Sequence, residues 1–447
     1  MHIGYLRDVF RKNADRDAIV WQDTAYKYQW LLDTTVSWEQ YLSEKKVGTG
    51  TVVSLEADFT PNAIALLLAL ISRSCIIVPL TESVAAKRDE FQAIAEVEIC
   101  LKISRDESCE FSSTKSQVSH PVLLGLKNAE RPGLVLFSSG STGQSKAAVH
   151  DLVPLLEKFQ VERQTLKTIT FLLFDHIGGI NTLLYNLANG GCIVTVQDRS
   201  PDYVCRIIQD HRVELLPTSP TFLNLMLVSE AYRRFDLSSL KLITYGTEVM
   251  SENTLKAFSA LFPTTRLLQT YGLSEVGILR SKSRDNDSLW VKIGGEGFET
   301  RVVDGLLEIK AKSAMLGYLN AASPFTEDGW FRTGDAVEVD GEYFRILGRK
   351  SEIINVGGEK VYPVEVENVL QMMEGVENVS VKGETHPITG QIVIATVKLG
   401  TSESVSDFRK RMHMHCRDKL PRFKIPQKVT LSLQDMHGER FKKMRNS

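Results

Sequence analysis

The sequence lacks the composition of a nucleic-acid-binding or membrane-spanning protein. Its formal net charge is −2, and it has no dense tract of lysine and arginine, which excludes the basic surface that nucleic acids require. The longest apolar run, residues 63–71, is interrupted by Ser72-Arg73-Ser74 and is too short to cross a bilayer. Charged residues stand early at the N-terminus without an apolar segment, so we expect neither a signal peptide nor a membrane span.

The cysteines are few and scattered. Six occur in 447 residues, and none forms a Cys-x-x-Cys pair. This usage predicts reduced thiols and a cytoplasmic location. The segment His413-Met414-His415-Cys416 resembles a fragment of a metal site, but no second ligand pair stands at a fitting distance, and we interpret it as part of a surface helix.

The length and the order of apolar segments predict a layered α/β fold of two or three domains. Residues 17–21 and 51–55 have the pattern of strands, Pro61 opens an apolar helix, and residues 75–80 form a buried strand pattern. Residues 170–174 are also apolar and predict a strand that ends in Asp175-His176. Strand–helix–strand spacing of this kind is typical of sheets with helices on their faces.

Residues 137–146 read Phe-Ser-Ser-Gly-Ser-Thr-Gly-Gln-Ser-Lys, directly after the apolar run 133–136. Backbone N–H groups, hydroxyls and a lysine in one loop can bind an anion such as phosphate. The alternative is a glycine-rich turn after a strand, without a binding role. The loop is not a Walker A motif, because Ser145-Lys146 stands where that motif has Gly-Lys-Ser/Thr.

Two further segments carry residues suited to a nucleotide. Tyr271-Gly272-Leu273-Ser274-Glu275 combines an aromatic ring, a glycine, a hydroxyl and a carboxylate. Residues 328–335 read Asp-Gly-Trp-Phe-Arg-Thr-Gly-Asp and are followed by Gly348-Arg349 and by the segment 357–367. An aromatic ring can stack on adenine, and a carboxylate can hold Mg²⁺ or ribose hydroxyls.

Together these segments resemble the motifs of the adenylate-forming superfamily, which includes the acyl-CoA synthetases, in the family's order along the chain. The resemblance implies a large N-terminal domain of layered α/β subdomains, residues 1–348, and a small α+β C-terminal lid, residues 349–447. Ser145 and Ala147 replace the proline and glycine that flank the loop lysine in the family, and Tyr245 stands where glycine or alanine is common. These departures could alter the loop and the floor of the pocket.

The resemblance also implies roles for individual residues. The ATP/AMP-binding residues it implies are Ser138, Ser139, Gly140, Ser141, Thr142, Gly143, Lys146, Gly246, Thr247, Glu248, Thr270, Tyr271, Gly272, Ser274, Asp335 and Arg349. The catalytic residues it implies are Lys442, Glu275, Thr142 and His176, with Glu275 as the Mg²⁺ ligand. The acyl pocket would include His176, Ile177, Gly178, Thr218 and Tyr245.

Position 177 bears on the class of acid. Amino-acid-activating relatives carry an aspartate there, which pairs with the substrate ammonium, whereas this chain has Ile177. An aliphatic side chain cannot neutralise an ammonium, so α-amino acids are unfavourable substrates. The alternative is that Asp175, two residues earlier, takes the place of that aspartate.

The resemblance implies that the lid moves during the reaction. Ser351 occupies the hinge position, and Gly357 and Gly358 would line the tunnel for the CoA thiol. The family's catalytic lysine follows a glycine near the C-terminus, but here Gly438 precedes Glu439. The usual spacing of about sixteen residues after Pro426 leads to Lys442, with Lys443 as the alternative.

The resemblance therefore implies an acid–CoA ligase. It would use ATP and Mg²⁺ to convert an aryl or aliphatic carboxylic acid into an acyl-AMP with release of pyrophosphate, and would pass the acyl group to CoA as co-substrate. One alternative is an acyl-AMP ligase that loads a carrier protein in trans, since no carrier domain follows residue 447. The other is a degenerate nucleotide-binding homologue without catalysis.

Overall fold

The computed structural model describes residues 2–139 and 145–432. Its helices are α1 Gly4–Lys12, α2 Tyr28–Glu44, α3 Pro61–Ser72, α4 Arg88–Ile94, α5 Pro121–Asn128, α6 Leu152–Glu157, α7 Ile177–Ala188, α8 Pro201–His211, α9 Pro220–Ser229, α10 Glu252–Leu261, α11 Pro363–Gln371 and α12 Val405–Cys416.

The strands up to residue 273 are β1 Asp17–Trp21, β2 Thr24–Lys27, β3 Val52–Glu56, β4 Ile76–Leu80, β5 Ile99–Ile103, β6 Cys109–Ser113, β7 Gly133–Ser139, β8 Ser145–Asp151, β9 Thr168–Ile169, β10 Ile193–Val194, β11 Leu215–Thr218, β12 Leu242–Tyr245, β13 Arg266–Gln269 and β14 Gly272–Leu273. The later strands are β15 Gly277–Ile278, β16 Arg280–Ser283, β17 Trp290–Gly294, β18 Phe298–Val303, β19 Leu306–Ala311, β20 Gly317–Tyr318, β21 Phe331–Asp340, β22 Tyr343–Arg349, β23 Ile354–Val356, β24 Glu359–Val361, β25 Val376–His386, β26 Gly390–Leu399 and β27 Lys428–Leu431.

Sheet I has seven strands in the order β13-β12-β11-β9-β10-β1-β2. Strands β13 to β1 pair in parallel, and β2 adds an antiparallel edge. Apolar residues of α8, α9 and α10 share one buried cluster with residues of the sheet. In a sheet of this type ligands bind beyond the carboxyl ends of the strands, where Thr218, Tyr245 and Gln269 stand side by side.

Sheet II also has seven strands, in the order β20-β8-β7-β4-β3-β5-β6. Every residue of β4 is buried, and so are the first four residues of β3, as expected for parallel strands covered on both faces. Helix α3 packs beside them, with Pro61 in its first turn and the side chain of Thr60 accepting a hydrogen bond from the N–H of Ala63. The strand–helix–strand prediction for residues 51–80 is confirmed.

Two further sheets complete the fold. Sheet III is antiparallel, in the order β16-β17-β22-β21-β19-β18, and it carries the segment 328–335 into β21. The C-terminal sheet, β24-β23-β26-β25 with β27 paired to β26, packs with α11 and α12 around a hydrophobic cluster of its own. The protein is therefore of the mixed α/β class, with a large N-terminal part and a small C-terminal part, as predicted.

The strand predicted over residues 170–174 is wrong. Pairing with β10 ends at Ile169, and the chain beyond it leaves sheet I. Phe174 instead packs edge-on against Phe59, with the ring centroids 5.1 Å apart, and His176 caps the next helix. Packing between the two large sheets thus overrides the local strand pattern.

Helix α12 includes the segment 413–416, as expected. Met412 and Cys416 face the C-terminal core, while Met414 is exposed. Across residues 2–139 and 145–432, no cluster of three or more His, Cys, Asp or Glu residues has the geometry of a metal site. Over the same residues, no helix has the length and apolar character needed to cross a membrane.

Candidate active site

The two limbs of the predicted phosphate loop form a β-hairpin. Strands β7 and β8 pair in antiparallel register, with Ser138 opposite Lys146 and Ser139 opposite Ser145. The remaining loop positions assigned to ATP, Gly140, Ser141, Thr142 and Gly143, lie outside the described residues. The hairpin therefore places Lys146 at the second position of β8.

The turn after β12 lies against the segment that leads into Tyr271. The backbone N–H and the hydroxyl of Thr270 both donate to the carbonyl of Tyr245, at 2.7 and 3.1 Å. A Cβ atom on Gly246 would stand 2.6 Å from the carbonyl oxygen of Thr270 and 2.6 Å from its hydroxyl. Only glycine permits this contact, so the two segments assigned to the nucleotide meet directly.

The neighbouring residues of this turn are unusual. Thr247 has a φ of 74°, a left-handed conformation that β-branched residues rarely adopt. A carboxylate oxygen of Glu248 accepts a hydrogen bond from the N–H of Thr221, at 2.7 Å, which ties the turn to the start of α9. Tyr245 is 1% exposed, and its ring packs in the cluster formed with α8, α9 and α10.

Tyr271 and Asp335 form a buried pair. The phenol donates to Oδ2 of the carboxylate at 2.5 Å, and the Nε of Arg349 lies 3.4 Å from Oδ1. Burial raises the pKa of Asp335, while the charge of Arg349 and the Tyr271 hydrogen bond act in the opposite direction. Burial and the nearby carboxylate raise the pKa of Tyr271 well above its ordinary value, so the phenol remains a donor.

Glu275 ends the turn of residues 271–275, which begins with Tyr271, and its side chain contacts Tyr318. The hydroxyl of Tyr318 donates to Oε1 of Glu275 at 2.7 Å. The ring of Tyr318 also lies beneath the ammonium of Lys146, with Nζ 5.4 Å from the ring centroid. Tyr318 thus links the hairpin lysine to the carboxylate assigned to Mg²⁺.

The side chain of His150 makes a hydrogen bond to this turn. Its Nε2 lies 2.5 Å from the carbonyl oxygen of Ser274, so the ring nitrogen donates. The side chain is fully buried, and burial lowers the pKa of the imidazole. A neutral ring with a proton on Nε2 therefore fits the contact.

The residues assigned to the acid lie at the start of α7. Nδ1 of His176 accepts a hydrogen bond from the N–H of Gly178 at 3.0 Å and so caps the helix. Ile177 is 3% exposed within the large apolar cluster. A Cβ atom on Gly179 would stand 2.1 Å from the carbonyl oxygen of Leu173, which explains the second glycine of the His-Ile-Gly-Gly segment.

Asp175 is engaged elsewhere. Its Oδ2 accepts a hydrogen bond from the hydroxyl of Thr81 at 3.1 Å, and the residue is 4% exposed. Thr81 follows the end of β4, so this bond joins the two large sheets. Thr218, also assigned to the pocket, is 2% exposed and stands beside Tyr245 in the register of sheet I.

Two asparagines of the N-terminal part donate hydrogen bonds to the C-terminal part. Nδ2 of Asn253 donates to the carbonyl of Asn368 at 2.9 Å, and Nδ2 of Asn224 donates to the carbonyl of Glu377 at 3.2 Å. Both asparagines lie on helices of sheet I, and their partners lie in or near α11 and β25. The sequence motifs gave no signal for either contact, because neither asparagine lies in a segment that resembles a family motif.

Ser351, assigned to the hinge, follows the last strand of sheet III, whereas Gly357 and Gly358, assigned to the tunnel, lie in the hairpin turn between β23 and β24 of the C-terminal sheet. Ser351 is exposed in the turn 350–352, directly after β22. Gly357 and Gly358 have φ values of 60° and 92°, and the N–H of Gly357 donates to the carbonyl of Thr389 at 2.8 Å. Lys442 and its alternative Lys443 lie outside the described residues.

Known proteins resemble this chain over most of its length. The family model described as AMP-binding enzyme matches residues 6–319, and the model of the AMP-binding enzyme C-terminal domain matches residues 365–439. The indoleacetate–CoA ligase of Aromatoleum aromaticum is 28% identical over 298 residues, which cover 60% of this chain and 57% of that protein. The 2-succinylbenzoate–CoA ligase of Enterococcus faecalis is 25% identical over 339 residues, which cover 70% of this chain and 68% of that protein.

The chain spans only 57% to 61% of the length of several of these relatives. Among solved structures, an anthranilate–CoA ligase in complex with anthranoyl-AMP has a TM-score of 0.81 at 17% identity, over 98% of this chain and 95% of that one. An amide bond synthetase from Marinactinospora thermotolerans has a TM-score of 0.77 at 20% identity, over 99% and 98%. These two likenesses establish the fold, and the family models cover both parts of the chain. The protein therefore belongs to the AMP-binding enzyme family, within the adenylate-forming superfamily that its motifs resemble.

Proposed function

We propose that this protein is an AMP-forming acid–CoA ligase. It would activate a carboxylic acid with ATP to an acyl-AMP, release pyrophosphate, and pass the acyl group to the thiol of CoA. The names of its relatives support an acid–thiol ligase, since they include ligases of indoleacetate and 2-succinylbenzoate.

One observation carries this proposal: the charged groups assigned to ATP converge on the turn 271–275. Lys146 reaches it through Tyr318, which bonds Glu275, and Asp335 and Arg349 reach it through Tyr271. A cation beside the phosphate hairpin, a carboxylate for a metal and a second carboxylate for ribose then surround one turn. This is the set of groups that a nucleoside triphosphate requires.

The described residues fit Mg²⁺ in the way that nucleotide-dependent enzymes hold it. Mg²⁺ is usually bound by one or two carboxylates together with substrate phosphates, and Glu275 would supply the carboxylate here. When bound, the ion would neutralise charge on the phosphates of ATP.

The first half-reaction needs charge stabilisation more than acid–base chemistry. A carboxylate oxygen of the acid attacks the α-phosphorus, and the bond from that phosphorus to the bridging oxygen breaks, so that pyrophosphate leaves. Lys146, and Lys442 from the C-terminal part, would balance the negative charge that gathers there. Thr142 would add a hydroxyl to the phosphate loop.

In the second half-reaction the CoA thiol loses its proton and the sulfur attacks the acyl carbon. The bond from that carbon to the AMP oxygen then breaks, giving the thioester, AMP and the released thiol proton. His176 would border the path of the thiol, and Gly357 and Gly358 would line the tunnel. Both glycines have left-handed backbone conformations, which supports a tight loop that a pantetheine arm could pass.

We place the boundary of the lid at residues 348 and 349, with Ser351 as the hinge. The separate hydrophobic core of the C-terminal part supports this division, because a lid must keep its own structure while it moves. The exposed turn that holds Ser351 supports the hinge.

The acid is an aryl or aliphatic carboxylic acid without an α-amino group. Ile177 is buried among apolar side chains and cannot pair with an ammonium. Several relatives are named for acids that carry ring systems, and this supports aryl acids as the first class to test.

The test is pyrophosphate release with ATP, Mg²⁺ and a panel of aryl, short, medium and long acids, with and without CoA. We expect release for one acid class, and an acyl-CoA product when CoA is present. Lys146→Met should lower release by at least tenfold. Lys12→Met should not change it, because Lys12 is an exposed lysine of α1 that forms a surface ion pair with Glu162, with Nζ and Oε1 3.4 Å apart.

Other outcomes would redirect the assignment. Acyl-AMP formation without thioester formation would indicate a different acceptor, such as a carrier protein or an amine. ATP binding without pyrophosphate release from any acid would contradict the ligase assignment and favour a non-catalytic nucleotide-binding protein.

A further inference from the structure

We propose that Tyr318 and Asn320 are positioning residues, which hold the outgoing limb of the phosphate hairpin and Glu275 in one fixed geometry. The proposal rests on the proposed function above, because it assigns a purpose to the geometry of the ATP site. Tyr318 ends β20, a strand of only two residues at the edge of sheet II, and Asn320 follows two positions later.

Asn320 fastens β20 to the hairpin with its side-chain amide. Its Oδ1 accepts a hydrogen bond from the N–H of Ala147 at 3.0 Å, and its Nδ2 donates to the carbonyl of Ser145 at 2.8 Å. The two bonds enclose Lys146, since they hold the main chain on either side of it. Only a side chain with both a donor and an acceptor can make this pair of bonds.

Ser145 and Ala147 are also the positions at which this chain departs from the family's proline and glycine. A proline restricts the backbone by itself, whereas a serine does not. Here the Ser145 hydroxyl lies 3.4 Å from Nζ of Lys87, and the Ser145 carbonyl is bound by Asn320. These contacts constrain a limb that the sequence leaves without its usual proline.

Tyr318 carries the constraint from the hairpin to Glu275. Its main chain pairs with Ala148 of β8, and its hydroxyl donates to Oε1 of Glu275 at 2.7 Å. Its ring faces the ammonium of Lys146 at 5.4 Å. The residue is 9% exposed, so the hydroxyl has a defined place. The phenol therefore sets both the orientation of the carboxylate and its distance from the loop lysine.

The first experiment uses Tyr318→Phe, which removes only the hydroxyl. Binding of a fluorescent ATP analogue is titrated with Mg²⁺, a readout that needs neither an acid nor turnover. A hydrogen bond to a charged group is among the stronger ones, so the Mg²⁺ concentration for half-maximal binding should rise roughly tenfold. The matched control is Tyr185→Phe, which removes a phenol that donates to the carbonyl of Gln164 at 2.9 Å, away from the site.

The second experiment uses Asn320→Ala, with Asn189→Ala as its control. The Asn189 amide makes the same kind of bridge: it accepts from the N–H of Arg163 at 2.5 Å and donates to the carbonyl of Tyr185 at 2.7 Å. Asn320→Ala should raise the KM for ATP roughly tenfold and leave the KM for the acid unchanged. Asn189→Ala should change neither KM, even where it lowers Tm by a similar amount.

If Asn320→Ala does not fold, Asn320→Asp serves in its place, because it keeps the acceptor for Ala147 and replaces the donor to Ser145 by a repelling oxygen. A half-maximal Mg²⁺ concentration in Tyr318→Phe within twofold of that of the unmodified protein would overturn the role of Tyr318. Equal rises of the ATP and acid KM values in the Asn320 variant would overturn the role of Asn320. Nucleotide binding that shifts as expected, in a protein that activates no acid, would refute the ligase function and leave the positioning role standing.

Discussion

The phenol of Tyr271 donates to Oδ2 of Asp335 at 2.5 Å, across 64 residues of sequence. Both side chains are buried, and Arg349 lies on the other oxygen of the carboxylate. The residue assigned to the adenine ring and the residue assigned to the ribose are therefore one hydrogen-bonded unit. A nucleotide that binds here would meet a preorganised pair and not two independent side chains.

The buried carboxylate of Asp335 should make stability depend on pH. Burial raises the folded-state pKa of Asp335, so above that pKa the ionised carboxylate lowers the free energy of unfolding. This penalty disappears as the pH falls through the raised pKa toward the unfolded pKa of about 3.9, because the carboxyl is then protonated in both states. Asp335→Asn removes the ionisation. We expect the variant to be at least as stable as the unmodified protein at pH 8 and to lose this advantage as the pH falls toward 4.5, although it loses nucleotide affinity throughout.

Thermal unfolding of both proteins across this pH range checks the prediction, because groups common to both cancel in the difference of their Tm values. A difference that stays constant, or that grows in favour of the variant on acidification, would contradict it.

Gly246→Ala should damage nucleotide binding and stability together. The added methyl group would lie 2.6 Å from two oxygen atoms of Thr270, one of them in the main chain, so the turn must shift. Overpacking of this kind costs roughly 1–3 kcal/mol in free energy of unfolding. Titration with an ATP analogue and denaturant unfolding measure the two effects.

The control is Gly125→Ala, within α5, where an added methyl group has no neighbour within 4 Å. It should raise the free energy of unfolding by roughly 0.5–1 kcal/mol, since alanine is the better helix former, and should leave nucleotide binding unchanged. Normal ATP affinity in Gly246→Ala would show that the two turns do not need to meet.

The protein should discriminate strongly against α-amino acids. Ile177 offers no charge to an ammonium, and burying an unpaired ammonium costs several kcal/mol. ATP–pyrophosphate exchange with 3-phenylpropanoate and with phenylalanine isolates the amino group. We expect kcat/KM to differ by on the order of a hundredfold or more; activity with phenylalanine within tenfold of that with 3-phenylpropanoate would mean that another group pairs with the ammonium.

Asn224 and Asn253 should hold the C-terminal part in its observed orientation. Each donates one hydrogen bond to a main-chain carbonyl across the boundary, and each such bond contributes about 1 kcal/mol. The double variant to alanine should expose the turn after β22 more often, and trypsin should cleave after Arg349 and Lys350 several times faster. Asn13→Ala, which removes a bond to the carbonyl of Val9 within the first helical segment, is the control. Unchanged cleavage in the double variant would show that other contacts hold the two parts together.

Local patterns predicted much of the fold. The buried strands β3 and β4 and helix α3 follow from continuous apolar runs and from Pro61, because burial on both faces leaves a clear signal in sequence. The strand predicted over residues 170–174 failed because the ring of Phe174 packs on Phe59, a partner 115 positions away that no local window contains.

The motifs likewise predicted one part of the candidate site and missed another. Motif resemblance brought Tyr271, Glu275, Asp335 and Arg349 to attention, and the structure places them around one turn. It could not reveal that Tyr318 binds Glu275 or that Asn320 binds Ala147, since these contacts join residues 43 and 173 positions apart. The turn at Thr247 was assigned from the motif, but its left-handed backbone at a β-branched residue has no sequence signal.

The place of β20 in sheet II has a consequence for biosynthesis. Strand β8 lies between β7 and β20, and β20 ends at Tyr318, far along the chain. While the protein is being made, the hairpin of β7 and β8 therefore has an unpaired edge until the segment that contains Tyr318 has left the ribosome. Such an edge can pair with other chains, so the nascent protein should depend on chaperones until β20 has paired with β8. It should acquire ATP affinity only after that pairing.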